Sequence, residues 1–64
     1  MQGLKKYRIE AGLTQEQLAE KAGISRVTIA NIERGSQAFV KSSTIIKLAE
    51  ALKVDPQVLL RPAE

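Results

Sequence analysis

The 64-residue chain contains no cysteine and no histidine. The absence of cysteine excludes disulfide bonds, and the absence of both residues excludes the usual structural zinc sites. A chain this short buries only a small core, so its stability must come from apolar packing, helped by self-association. Hydrophobic residues make up 44% of the sequence, which is sufficient for a globular fold. We therefore expect residues 1–64 to form one domain, with no separate sensor domain.

Long apolar runs are also missing. Nothing approaches the roughly 18 apolar residues of a membrane helix, and the N-terminus lacks the apolar segment of a signal peptide. We therefore expect a cytoplasmic protein with no membrane contact. The sequence shows no phosphate-cradling glycine loop and no evident carboxylate cluster. It therefore predicts no enzyme, with no catalytic residues, metal, cofactor or small-molecule ligand.

Charge indicates a class of partner only weakly. Ten Lys and Arg residues stand against seven Asp and Glu residues, which gives a net charge of +3. The isoelectric point near 9.6 is typical of a nucleic-acid binder. The same balance also occurs in mildly basic domains with no such partner. The composition therefore allows nucleic-acid binding without establishing it.

Apolar residues recur at helical spacing, and the alternation typical of β-strands is absent. Gly12, Gly23 and Gly35 each follow a helix-like stretch. Helices often end at a residue with left-handed backbone angles, and glycine adopts these at the least steric cost. The pattern predicts an all-α fold whose five short helices cover residues 2–11, 13–22, 26–34, 42 or 43 to 52, and 56–60. The fourth helix has an apolar stripe formed by Ile45, Leu48, Ala49 and Leu52.

Capping residues mark the helix starts. Thr14 and Gln17 have the spacing of a capping box, and Leu13 and Leu18 occupy the positions of a hydrophobic staple around it. Ser25 is in place to cap the third helix. Asp55 followed by proline is a start signal for the last helix. Two short helices separated by Gly23 predict a helix-turn-helix over about residues 14–34.

The third predicted helix has two unlike faces. At about 100° per residue, one arc of about 140° contains Arg26, Val27, Ala30, Asn31 and Arg34. Ile29 and Ile32 lie on the opposite side and would anchor the helix in the core. Arginine can bond to guanine, asparagine to adenine, and an apolar side chain can touch the thymine methyl. A solvated face of an ordinary amphipathic helix explains the same pattern.

One segment resembles a known family, and it reads GLTQEQLAEKAGIS, followed by Ile29 and the IERG of residues 32–35. It resembles the phage-repressor/Cro-like helix-turn-helix family, also called the XRE type, and the resemblance covers residues 4–60. The family fold is a compact lambda-repressor-like bundle of five short helices. The resemblance implies sequence-specific binding of double-stranded DNA by a transcriptional regulator, usually a repressor, with the third helix in the major groove.

The resemblance also implies roles for single residues. Arg26, Val27 and Asn31 match base-reading positions, and Thr28 is a further base contact whose side chain points partly inward. The matching phosphate contacts are Gln15, Arg34, Gln37 and Lys41. Arg8 and Glu33 match a family ion pair that ties the first helix to the end of the third and contacts no DNA.

The sequence departs from the family pattern in several places. The family usually has about one more helical turn before Leu4, and the proline that often precedes the fourth helix is absent. Lys53 stands where a glycine commonly ends the fourth helix. Since a non-glycine residue disfavours the left-handed conformation, the expected backbone at Lys53 is in doubt.

Family members usually act as symmetric dimers on palindromic operators. Near the end of the chain, more apolar residues occur than one small core accommodates, namely Val54, Val58, Leu59 and Leu60. They form either part of a homodimer surface or an amphipathic end that packs on its own domain. An alternative function is protein interaction, since some family members are antitoxin-like subunits.

Overall fold

A computed structural model describes residues 3–36 and 40–60. These residues form five α-helices and no strand: α1 (Leu4–Glu10), α2 (Gln15–Ala22), α3 (Arg26–Arg34), α4 (Ser42–Leu52) and α5 (Pro56–Leu60). The predicted all-α bundle is confirmed. Within the described ranges, no helix is both long enough and apolar enough to cross a membrane.

The predicted caps begin α2 and α3. The Thr14 hydroxyl accepts a hydrogen bond of 3.0 Å from the Gln17 backbone N–H, and the Gln17 side chain accepts one of 2.9 Å from the Thr14 N–H. The Ser25 hydroxyl accepts from the Val27 N–H at 3.1 Å. Thr14 has extended backbone angles, so α2 begins at Gln15 and the predicted start at residue 13 is two residues early.

The last helix begins as its sequence signal predicts. An Asp55 carboxylate oxygen accepts a hydrogen bond of 2.9 Å from the Gln57 N–H, and Pro56 is the first helical residue. Proline has no N–H to leave unsatisfied at this position. The start of α1 is less fully tested, because Gln2 lies outside the described residues and α1 begins at Leu4.

The first four helices end with the same backbone device. A residue with positive φ follows each helix, and the next N–H bonds to the carbonyl oxygen five residues earlier at 3.0–3.1 Å. The positive-φ residues are Gly12, Gly23, Gly35 and Lys53. Lys53 has φ 58° and is the one residue of the four with a Cβ. Lys53 therefore adopts the left-handed backbone that the family pattern predicts, although its side chain disfavours this conformation.

One core joins the helices. α2 packs against α3 and α4, α1 packs against α3, and α5 packs against α4. The predicted inward residues of α3 and α4 are all buried. Among the described residues, the buried hydrophobic side chains are Leu4, Leu18, Ala19, Ile29, Ile32, Ile45, Leu48, Ala49, Leu52 and Leu59. Since this core is small, each large member contributes a substantial share of the apolar burial that stabilises the fold.

Leu59 corrects the proposed dimer surface. Its side chain is fully buried in the domain's own core, because α5 packs against α4. It therefore cannot form part of a surface that meets a second copy. Val54 and Val58 are half-buried and keep some accessible apolar area, while the Leu60 side chain lies outside the described residues.

The left-handed Lys53 generates a stability prediction. Lys53→Gly is expected to raise the free energy of unfolding by about 0.5–1 kcal/mol, because glycine removes the steric cost of positive φ at the end of α4. The gain is smaller than this steric cost, because glycine also increases the conformational entropy of the unfolded chain. Lys47→Gly is the matched control, since Lys47 is exposed within α4, and it should lower stability by about 1 kcal/mol. Urea denaturation measures both, and the same sign for the two variants would contradict the backbone argument.

Candidate nucleic-acid interface

The α2–turn–α3 unit is fixed from its inner side. Leu18 and Ala19 of α2 and Ile29 and Ile32 of α3 are buried in the common core. Gly23, with φ 71° and ψ 34°, ends α2 and allows the chain to turn sharply into α3. The outer side of α3 is therefore held on a rigid base and remains open.

The outer face of α3 contains the predicted base-reading residues. Arg26 and Arg34 are exposed, Asn31 is half-buried, and Val27 is 57% exposed although it is apolar. Thr28 is half-buried, as its position beside the inward face predicts. The structure therefore brings all five predicted α3 contacts onto or beside one accessible face.

Two of these residues are bonded to each other. The Arg34 guanidinium donates a hydrogen bond of 2.8 Å to the Asn31 side-chain oxygen. Residues three apart are neighbours on a helix surface, so the spacing allows this contact. The sequence reasoning assigned Arg34 to phosphate and Asn31 to bases and did not consider that the two side chains pair.

The predicted ion pair between Arg8 and Glu33 is confirmed. The Arg8 Nε donates to Glu33 Oε2 at 2.7 Å, and Arg8 Nη2 donates to Glu33 Oε1 at 3.2 Å. The two side chains are only 12% and 5% exposed. A two-pronged, nearly buried pair of this kind fixes both distance and direction between α1 and the end of α3.

The ion pair is part of a larger network. Arg8 Nη1 also donates to the Leu13 carbonyl oxygen at 2.7 Å, in the turn before α2. The Gln15 side-chain amide donates to Glu33 Oε1 at 3.1 Å. Glu33 therefore accepts hydrogen bonds from α1 and α2 as well as belonging to α3. Sequence reasoning missed the bond between Gln15 and Glu33, because a glutamine at a helix start does not indicate which partner its side chain bonds.

The network uses only part of the hydrogen-bonding capacity of the Gln15 side chain. A primary amide has two N–H donors, and Glu33 uses one of them. The other is not used by Glu33. Arg8 neutralises the charge of Glu33 at 2.7 Å, so this carboxylate does not present a full negative charge beside Gln15.

The remaining predicted phosphate contacts lie around the loop before α4. Lys41 is exposed and immediately precedes α4, where its backbone is extended. Gln37 lies outside the described residues. Half-buried Val40 packs against the core and so fixes the chain next to Lys41.

Comparison with known families identifies the unit. A helix-turn-helix family profile matches residues 4–59, which is most of the chain. The chain belongs to the helix-turn-helix family. The resemblance noted from the sequence is thereby confirmed, and the matched range contains every helix apart from the last residue of α5.

Individual relatives of this helix-turn-helix chain are regulators. The HTH-type transcriptional repressor RghR of Bacillus subtilis is 43% identical over 60 residues, which cover 94% of this chain and 44% of RghR. The HTH-type transcriptional regulator SinR of the same organism is 36% identical, over 92% of this chain and 53% of SinR. The chain thus spans about half the length of these relatives.

Solved structures match the whole fold. The crystal structure of SinR in complex with DNA has a TM-score of 0.90 and 35% identity, and the match covers 94% of this chain and 95% of that one. The restriction-modification controller protein C.AhdI from Aeromonas hydrophila has a TM-score of 0.85 and 40% identity, over 91% and 86% of the two chains.

The ion pair generates a second stability prediction. Arg8→Met is expected to lower the free energy of unfolding by about 3 kcal/mol, because Glu33 is then a nearly buried charge without its partner. Urea denaturation measures the loss. Lys5→Met is the control on the exposed side of α1 and should change stability by less than about 0.5 kcal/mol.

A second variant keeps this test informative if Arg8→Met does not fold. In Arg8→Met/Glu33→Met no charge remains buried, so part of the lost stability should return. A single variant as stable as the parent, or a double variant less stable than the single one, would contradict the assigned role of the pair.

Proposed function

We propose that this helix-turn-helix domain binds double-stranded DNA in a sequence-specific manner and acts as a transcriptional regulator of the repressor type. The observation that carries the proposal is the division of α3, whose inner face is buried while its outer face exposes Arg26, Val27 and Arg34 around Asn31. The relatives support it, since RghR is named a repressor and the SinR structure contains DNA.

We assign base reading to the outer face of α3, inserted in the major groove. Arg26 at the first turn suits the two acceptors of guanine, and Val27 suits the thymine methyl group. Asn31 lies one turn further along the same face. Thr28 is a lesser contact, because only part of its side chain is accessible.

Phosphate contacts would flank this face. Gln15 has an amide N–H left for a phosphate in front of α2, where the helix dipole also favours an anion. Lys41, which is exposed, precedes α4, Gln37 is a proposed contact from the sequence, and Arg34 follows the base-reading residues. The net charge of +3 favours approach to DNA. A DNA partner also implies the cytoplasmic location expected from the sequence.

We further propose that two copies act together on a palindromic operator. A nine-residue helix spans about 13 Å and reads only a few base pairs. Two copies whose α3 helices lie about one DNA turn apart read a longer site. The partly accessible Val54 and Val58, with Leu60, are the proposed contact surface, and buried Leu59 is removed from it.

Selection from random duplex DNA tests the function. A preferred sequence is expected, and Arg26→Ala should weaken binding to it by about 1–3 kcal/mol and relax the preference at one base position. Lys41→Ala is the control, since loss of a phosphate contact should weaken all sequences alike and reduce the salt dependence. Recovery of no preferred sequence, together with salt-independent binding of a protein partner, would favour an antitoxin-like interaction module instead.

Sedimentation at micromolar concentration tests the dimer. Val58→Asp should shift the protein towards monomer, because it places a charge in the proposed apolar contact. Gln57→Asp changes the exposed neighbour and should leave the distribution as it is. The proposal fails if the parent protein sediments only as a monomer both with and without its selected DNA.

A further inference from the structure

The oxygen of the Asn31 side chain is already engaged by a hydrogen bond within the protein. To pair with adenine through two bonds, an asparagine uses its oxygen to accept from the N6 amino group and its nitrogen to donate to N7. In this structure the Asn31 oxygen already accepts from Arg34 Nη2 at 2.8 Å. This bond occupies one of the two lone pairs of the oxygen and places a positive charge beside it, so the amide nitrogen, which is a donor, is the less engaged of the two groups.

The backbone that carries the two side chains is well fixed. Arg34 is the last residue of α3, and Gly35 and Ser36 fold back so that both the Ser36 N–H and the Ser36 hydroxyl bond to the Asn31 carbonyl, at 3.1 and 3.3 Å. The last turn of the helix is thus closed around Asn31. A hydrogen bond from a charged guanidinium is also stronger than one between neutral groups.

The charge of Arg34 acts in the same direction. Arg34 is bonded to Asn31, and the rest of its guanidinium offers donors alone. Guanine presents two adjacent acceptors in the major groove, N7 and O6, whereas adenine presents the N6 amino donor next to N7. A donor surface therefore pairs with guanine and meets the adenine amino group unfavourably.

We propose that Arg34 is a positioning residue that fixes Asn31 as a hydrogen-bond donor and so directs it to guanine instead of adenine. This inference rests on the proposed DNA binding and deepens it, because it assigns the base read at one position. A guanidinium has five N–H donors, so Arg34 can bond Asn31 and still contact a phosphate. The generic expectation that an asparagine at this position reads adenine is thereby replaced.

The test compares base profiles obtained by selection from random duplex DNA. Asn31→Ala identifies the base position that Asn31 reads, as the one at which the preference disappears. The parent protein should prefer guanine there. Arg34→Met keeps the length of the side chain and removes its donors, so the Asn31 oxygen becomes available and the preference should move by about tenfold towards adenine.

Lys41→Met is the matched control. It removes a positive charge from the proposed DNA face and leaves the Asn31–Arg34 bond intact, so affinity should fall for all sequences without a change in the profile. Adenine at the Asn31 position of the parent protein would overturn the inference. An Arg34→Met profile identical to that of the parent, with only weaker binding, would do the same.

A measurement without DNA separates this inference from the proposed function. The side-chain amide signals of Asn31 in a ¹H–¹⁵N spectrum should shift in Arg34→Met and stay in place in Lys41→Met. Unchanged signals in Arg34→Met would overturn the pairing even if the protein binds DNA. Shifted signals in a protein that selects no DNA sequence would retain the pairing, overturn its role in base reading, and refute the proposed function.

Discussion

The orientation of α3 relative to α1 and α2 depends on one carboxylate. Glu33 lies in α3 and accepts hydrogen bonds from Arg8 of α1 and Gln15 of α2, so three helices meet at a side chain that is 5% exposed. Apolar packing buries the inner face of α3 but is non-directional. The bonds to Glu33, of 2.7–3.2 Å, are directional, so they add an orientation of α3 relative to α1 and α2 to the apolar contacts.

The same contact reconciles two opposed electrostatic demands. A carboxylate in the helix proposed to face DNA would repel the phosphates, yet Glu33 of α3 accepts the bonds from α1 and α2. Arg8 supplies the opposite charge from the protein side, and the pair is largely shielded from water. The charge of Glu33 is therefore compensated within the protein beside the proposed DNA-binding face.

Sequence rules that involve only neighbouring residues predicted the local features of the fold. Caps at Thr14 and Ser25, helix ends at glycines, and burial of Ile29 and Ile32 follow from backbone geometry and periodicity, and all were predicted. The Arg8–Glu33 pair spans 25 residues and was expected only through the family resemblance. Sequence reasoning missed the bonds of Gln15 and Arg34 because long side chains choose among several partners. It wrongly included Leu59 in a dimer surface because it could not tell which residue α4 buries.

The donors and acceptors on the outer face of α3 limit which bases this face can distinguish in the proposed complex. Every residue of α3 is described, and two of its acceptor groups are engaged within the protein: Glu33 accepts from Arg8 and Gln15, and the Asn31 oxygen accepts from Arg34. Half-buried Thr28 is only partly accessible. Donors and the apolar surface of Val27 remain. In the proposed complex, such a face suits guanine acceptors and the thymine methyl and offers few acceptors to the amino groups of adenine and cytosine. Discrimination then arises as much from bonds that wrong bases cannot make as from bonds to the right ones.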